Sequence, residues 1–471
     1  MSQTIEIRPA GLTTGGQEDC ATCGDGRRHH RLPFGLLGEL CRPGDMFRDI
    51  GPNWYASVMG TGIVANAGAT LALHVPGLRV FATVVWGIAA AALVALMVAT
   101  AVHMIRYPAR ARGHAANPVM AQFYGAPAMA LMTVGTGTLL LAPGLIGAGA
   151  AIDADWVLWF AGTALGLVTA CWIPYLMMTR HAIGPDSAFG GWLMPVVPPM
   201  VSAANGALLI PHAPAGEARL TLLLACYAMF GISLFASVII ITQIWSRLVV
   251  HKIGPAVMVP TLWIVLGPLG QSVTATGNLG TQAATVMHAP YAAGAAVLAL
   301  LYGVPTWGFA MMWLALAAAI TVRTLRQGLP FALTWWSFTF PVGTVVTGTI
   351  ALAARSNAEP LRVASVLLYA LLLVAWLIVA VRTAQGSLKG RLFLPAPVPA
   401  APAAPAAPAA PAAPAAPAAS ATPAALAAPA VPAALAVPAS VPAQNGGLAP
   451  RYGSVLRDTP VNGVATGKNL N

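Results

Sequence analysis

Uncharged hydrogen-bonding side chains recur inside otherwise apolar stretches of this sequence: Asn53, Ser57, Thr61, Asn66, Thr133, Thr136 and Thr138 in the first third, then Ser202, Asn205, Gln271, Ser272, Thr274, Thr339 and Thr344. Groups of this kind cannot act as acids or bases near neutrality, but they can solvate a polar solute. A hydroxyl on a lipid-embedded helix ordinarily bonds its own carbonyls or a neighbouring helix. If several face one axis instead, they line a mildly polar conduit that binds weakly, which suits rapid conduction.

Backbone breakers fall on the same stretches. Gly60, Gly62 and Gly68 lie in "MGTGIVANAGAT", Pro127 in "FYGAPAMALMTVGTGT", and Pro195, Pro198 and Pro199 follow. Pro260 and Pro268 come next, and then Pro341. A proline inside a helix removes a donor and costs about 3 kcal/mol, so irregular backbone at membrane depth survives only where protein or water re-satisfies it. Opened turns also present N–H groups and half-helix dipole ends, which favour an anion without a fixed cation to trap it. Each proline taken alone equally fits a packing kink, since Gly and Pro are common in membrane helices.

Proton and metal chemistry have thin support. No carboxylate is expected in the interior of an apolar stretch, which weakens mechanisms that need a buried acid, and His74, His103, His181, His212, His251 and His288 fall at stretch ends or in loops. Cys20 and Cys23 form a CxxC followed by His29, His30 and Cys41; the spacing fits no common zinc finger. Cys171 and Cys226 read as small apolar packing residues. No metal or other cofactor is expected, and no nucleophile stands beside a base as an enzyme would require.

The elements that position these residues are membrane helices. With 58% hydrophobic and 8% charged residues, the composition lies far from the roughly 25% charged residues of soluble domains. A helix needs about 20 apolar residues to span a bilayer. Ten such spans are expected, at 52-74, 79-103, 119-141, 154-178, 190-210, 219-245, 255-277, 293-322, 331-354 and 362-383. The fold class is therefore an all-α integral membrane protein. Breakers concentrate on the odd-numbered spans, which suggests an inner ring, whereas the second, sixth and tenth lack proline as outer helices would; Pro174 and Pro305 break the alternation.

Orientation follows the loop cations. Arg106, Arg110, Arg112, Arg180, Arg247, Lys252, Arg323 and Arg326 share one side with both termini, against Arg79, Arg219, Arg355 and Arg362 on the other. Both ends are thus expected in the cytoplasm, and the formal charge of +11 needs no nucleic-acid partner to explain it. Residues 1-50 form a polar arm without a secretory h-region, residues 51-385 the membrane domain, and residues 386-471 a tail dominated by "PAAPAAPAA" repeats. Proline at every third residue favours an extended, polyproline-like tract, expected to be dispensable for transport.

Four segments, "PNWYASVMGTGIV", "NPVMAQFYGAPAMALMTVGTGTLLL", "LGPLGQSVTATGNLG" and "WWSFTFPVGT", occur in an order that resembles the tellurite-resistance and dicarboxylate transporter family, across roughly residues 45 to 390. That family includes the bacterial tellurite-resistance channel homologue, the plant slow anion channel, fungal malate permeases and the fungal sulfite efflux pump. The resemblance implies five helical hairpins in a pseudo-five-fold arrangement around a central pore, the odd helices inner, and a homotrimer in a plasma (inner) membrane. It also implies a pore gate at Phe340, with Phe338 the neighbouring alternative. Gly60, Thr61, Gly62, Pro127, Thr133, Pro198, Ser202, Pro268, Gln271, Ser272, Thr339, Pro341 and Thr344 become its pore-lining or kink candidates. The expected cargo is a small inorganic or organic anion: sulfite, nitrate, chloride or the monocarboxylate form of malate. A proton-linked carrier of C4-dicarboxylate or sulfite is the alternative, its proton carried on the substrate itself. Tellurite names a phenotype and is not the expected cargo.

Overall fold

The computed structural model describes residues 37–394 apart from 41 and 72–74. The cysteines and histidines of the N-terminal arm, His74 and the Pro/Ala tract lie outside the described residues.

Among the described residues every regular element is helical. The chain runs through α1 (Tyr55–Thr70), α2 (Leu78–Arg106), the short polar α3 (Pro108–Ala116) and α4 (Gly125–Leu141). A single turn, α5 (Pro143–Ile146), precedes α6 (Ala148–Thr179), α7 (Pro198–Leu209) and α8 (Glu217–His251). Then come α9 (Leu266–Val286), α10 (Tyr291–Gln327), α11 (Phe340–Ser356) and α12 (Glu359–Lys389). Among the described residues, eight stretches are long and apolar enough to cross a bilayer. The spans expected at 52-74 and 190-210 are not among them, because α1 has 16 residues and α7 only 12.

The shortening has a common cause. Each of α1, α4, α7, α9 and α11 is preceded by a 3-10 segment: Pro52–Trp54, Met120–Tyr124, Gly190–Leu193, Ala256–Val265 and Leu333–Phe338. In α4, α7, α9 and α11 proline marks the change of winding, in the first turn of the α part where no intrahelical donor is lost, whereas before α1 Pro52 opens the 3-10 segment itself. Pro127 is the third residue of α4, Pro198 and Pro199 open α7, Pro268 is third in α9 and Pro341 second in α11.

Burial separates two layers. In the stretches containing α4, α9 and α11, 72–78% of residues are buried, against 22–33% in α2, α6, α8, α10 and α12. Exposed Val84, Phe160, Phe235, Leu301 and Leu367 belong to the latter group, apolar side chains that need lipid around them. α1 packs on α4, α4 on α7, α7 on α9, α9 on α11, and α11 back on α1, which closes a ring of five. Every outer helix lies over the seam between its own inner helix and the next: α2 on α1 and α4, α6 on α4 and α7, α8 on α7 and α9, α10 on α9 and α11, α12 on α11 and α1.

Glycine sets how closely the ring packs. A Cβ on Gly62 would lie 2.7 Å from the Thr133 methyl, and one on Gly270 would enter the α11 backbone between Thr344 and Val345. Asparagine amides then tie the seams, each donating to a carbonyl on the neighbouring inner helix: Asn66 to Thr133 (3.0 Å), Asn205 to Met132 (3.3 Å) and Asn278 to Ala204 (3.1 Å). Between α9 and α11 the hydroxyls of Thr274 and Thr347 meet at 2.8 Å. At the opposite face the two ends of the described chain come together, with the Leu37 N–H donating to the Leu388 carbonyl and Trp54 stacked on Phe393 at 5.0 Å.

Candidate permeation path between the inner helices

A cavity of about 510 Å³ opens inside the ring. Each inner helix contributes a neutral polar side chain to its wall: Asn66 from α1, Thr136 from α4, Asn205 from α7, Gln271 from α9 and Thr347 from α11. All five present their C-terminal parts to it, through Thr70, Leu140, Leu208, Thr281 and Arg355. The inner helices therefore run in the same direction, as alternation with single outer helices requires.

Three lining side chains are at least nine-tenths buried and keep a polar atom without a protein partner: Asn66 Oδ1, Thr136 Oγ1 and Gln271 Oε1. One charged residue lies on the wall, Arg355, in the last turn of α11. Its Nη2 donates to the Gly277 carbonyl at 3.1 Å and to the Thr281 hydroxyl at 2.9 Å, both on α9. No carboxylate pairs with it among the described residues. The expectation of a path without a fixed cation is thus corrected: the last turn of α11 reaches far enough to bring a loop-counted arginine onto the cavity wall.

Of the residues singled out from sequence, Asn66, Thr136, Asn205, Gln271 and Thr274 line this cavity. The others sit in the helix seams. Gly60 packs against Trp336 and Thr339, and the Thr61 hydroxyl accepts from Trp376 of α12 at 3.2 Å. Thr133 returns its hydroxyl to the Met129 carbonyl at 2.6 Å. Pro198 fills the space over Gly166, and Ser202 accepts from Thr163 of α6 at 3.0 Å. Ser272 takes the Tyr302 hydroxyl at 2.8 Å, and Thr339 donates to the Trp336 carbonyl at 2.7 Å. Thr344 donates to the Pro341 carbonyl at 2.7 Å, with the Leu266 and Gly267 carbonyls of α9 at 3.3 Å. Pro127, Pro268 and Pro341 occupy the first turns described above.

Phe340 is 3% exposed and opens α11. It lies seven residues before Thr347, about 10 Å along the helix, so it stands beyond the floor of the cavity. Phe338 is engaged otherwise, its ring packed edge-on against Trp263 at 5.2 Å and Trp335 at 5.7 Å.

The expectation of no buried acid is overturned by Asp155. It is 1% exposed on α6, and neither carboxylate oxygen has a hydrogen-bond partner. A Cβ on Gly135 of α4 would lie 2.5 Å from Asp155 Oδ1, so the acid sits in the α4–α6 seam behind the cavity wall. In the sequence it stands second in its span, where an acid reads as a loop residue; the helix in fact begins at Ala148, seven residues earlier.

An all-helical membrane bundle with a polar cavity inside a closed inner ring defines a transport protein. The chain matches the voltage-dependent anion channel family (SLAC1) over residues 49–384 and belongs to it. It is similar to the sulfite efflux pump SSU1 of Trichophyton rubrum, at 26% identity over 73% of this chain and 92% of the relative. It also resembles an uncharacterized transporter of Methanocaldococcus jannaschii, at 24% identity over 72% of this chain and 96% of the relative. The family and these relatives are channels and transporters, so the protein is a membrane transporter of anions and not an enzyme.

Proposed function

We propose that this protein conducts small anions such as sulfite, nitrate, chloride or singly charged malate passively along the axis of the inner ring, with Phe340 closing the path beneath the cavity. The observation that carries this reading is the cavity wall, to which each of the five inner helices brings at least one neutral polar group. Neutral groups bind weakly enough to release what they solvate. Arg355 raises the local anion concentration at the mouth, where five helix C-termini alone would repel it. An aromatic ring filling a narrow bore blocks a hydrated ion by sterics and dewetting, and a change of rotamer reopens it.

On this reading α1 and α7, each extended by its 3-10 segment, complete ten spans arranged as five hairpins with pseudo-five-fold symmetry. The protein works as a homotrimer in a plasma (inner) membrane with both termini in the cytoplasm. Arg106 at the end of α2, Arg247 near the end of α8 and Arg323 and Arg326 at the end of α10 support that orientation.

A proton-linked carrier of sulfite or a C4-dicarboxylate is the second reading, and Asp155 favours it, because an ionisable residue inside a spanning helix is by default a functional candidate. Flux in liposomes separates the two. Electrogenic anion current that rises in Phe340→Ala and ignores a proton gradient supports the channel; saturable flux that follows the gradient and gains nothing from the variant supports the carrier.

A further inference from the structure

The short helix α3 bridges the ends of two outer helices that both pack on α4. At one end it follows α2 after a single residue, Tyr107. At the other, His181, just past the end of α6, donates from Nε2 to the Ala115 carbonyl at 2.9 Å, and Ala115 packs with Ile173 and Leu176 of α6. The inward face of α3 is engaged: Arg110 pairs with Asp49, His114 stacks on His103, and the Ala111 carbonyl accepts from the Tyr124 hydroxyl at 3.4 Å.

Three arginines along this bridge remain: Arg106 at the end of α2, Arg112 on α3 and Arg180 after α6, all exposed. None of them meets a carboxylate among the described residues. Bare apolar side chains lie directly beside them. Ile105 is 80% exposed next to Arg106, and Met178 is 84% exposed two residues before Arg180. Such side chains need lipid around them, so hydrocarbon reaches to within one or two residues of both cations. The guanidinium groups then stand at headgroup level, as do the exposed rings of Trp172 and Tyr175 on α6.

A guanidinium gives two parallel N–H bonds to phosphate oxygens, and each arginine near an anionic membrane surface is drawn to it. An anionic phospholipid matches both halves of this strip, its phosphate meeting the arginines and its acyl chains the bare ends of α2 and α6. A soluble phosphate matches only the first half.

We propose that α3 and the ends of α2 and α6 form a docking strip for the headgroups of anionic phospholipids, carried by Arg106, Arg112 and Arg180. The strip is about 14 Å long, at 1.5 Å for each residue of α3, so its arginines act in series along it and their contributions add. The inference is independent of which anion the protein transports. Its consequence for the fold is direct, because α3 also holds Asp49, just before α1, and Tyr124, just before α4. Lipid on the strip therefore steadies the entries to two inner helices.

Titration of dioctanoylphosphatidylglycerol into the detergent-solubilised full chain tests it, read as the rise in melting temperature produced by a ligand that binds the folded state. Dioctanoylphosphatidylcholine and inorganic phosphate serve as controls. The expected result is a rise with the anionic lipid that neither control matches at equal concentration. Arg112→Gln and Arg180→Gln should each weaken the apparent affinity roughly fivefold, and the double variant more, while Arg112→Lys and Arg180→Lys stay near the parent. Arg323→Gln combined with Arg326→Gln removes two exposed charges from the end of α10, away from α3, and should leave the affinity unchanged. Equal shifts with both lipids, an equal shift with inorganic phosphate, or an equal loss in the α10 double variant overturns the proposal; the last outcome would reduce the effect to the diffuse attraction of a basic face.

Discussion

Asn66 on α1 donates its amide to the carbonyl oxygen of Thr133 on α4, 3.0 Å away, and its own oxygen, buried beside Gly137 of α4, has no protein partner. The same residue lines the cavity. One side chain therefore fastens a seam of the ring and borders its interior, so a change at Asn66 confounds stability with transport, and the informative substitutions lie elsewhere.

Phe340→Ala is expected to raise basal anion flux several-fold in liposomes. Phe340 is fully packed, and truncating a buried phenylalanine costs about 3–5 kcal/mol, so the melting temperature of the detergent-solubilised variant should fall. Flux that is unchanged or lost in a variant that still elutes as the parent does would remove Phe340 as the gate.

Gly270→Ala should destabilise the α9–α11 seam by about 1–3 kcal/mol, because the added methyl would enter the backbone at Thr344 and Val345. Gly267→Ala, three residues earlier on the same helix, meets nothing within 4 Å. A thermal melt of the pair checks this: equal midpoints would mean the seam yields to the methyl.

Arg355→Gln should lower anion flux about threefold to tenfold at low salt, with the deficit shrinking as ionic strength rises and screens the mouth. Arg355→Lys keeps the charge and should recover most of the flux. A deficit equal in both variants and insensitive to salt would assign Arg355 to holding α9 against α11 instead.

Much of this was legible beforehand. The five outer helices lie where apolar length placed them, and breaker-rich spans form the inner layer. The change of winding was not legible, because 3-10 and α segments bury the same residues and hydropathy does not tell them apart. Nor could residue type reveal where a hydroxyl points: Thr133, Thr138 and Thr344 all return theirs to carbonyls of their own helix. Spacing carried more of the signal. Gln271, Thr274, Asn278 and Thr281 recur at helical intervals on one face of α9, and Thr347, Ala351 and Arg355 do so on α11. That periodicity could have found Thr347, inside its expected span, and Asn278, Thr281 and Arg355, which lie past the expected span ends at 277 and 354.

Asp155→Asn separates the two transport readings. The substitution keeps the shape and removes the acid, so a passive channel should keep its flux and its indifference to a proton gradient. Loss of gradient-driven uptake, with the fold intact, would move the protein to the carrier class.

His114 predicts a pH response at the polar loop. It stacks on His103 at 5.1 Å, close to Asp49 and Arg110, which are themselves paired. Burial first, then the charge of His103, hold its pKa below the ordinary 6.5, with Arg110 acting the same way and Asp49 opposing. The unfolded loop then binds the proton more readily than the folded one, so stability is full above the ordinary value and is lost as pH falls from there toward the folded value. Hydrogen exchange across 108–116 should quicken on acidification, and His114→Asn should flatten that response; an unaltered response would assign it to another group.

The parallel course of the five inner helices gives the axis an electrical polarity from one face to the other. Their N-termini lie together at the arginine-rich face and their C-termini around the cavity, so the peptide dipoles nearest the axis add, while those of the oppositely running outer helices oppose them from farther away. An anion on the axis meets an energy profile that slopes before any voltage is applied. If the path conducts as a channel, voltages of equal size and opposite sign drive unequal currents, and rectification follows from the order in which the chain was threaded, with no moving part required.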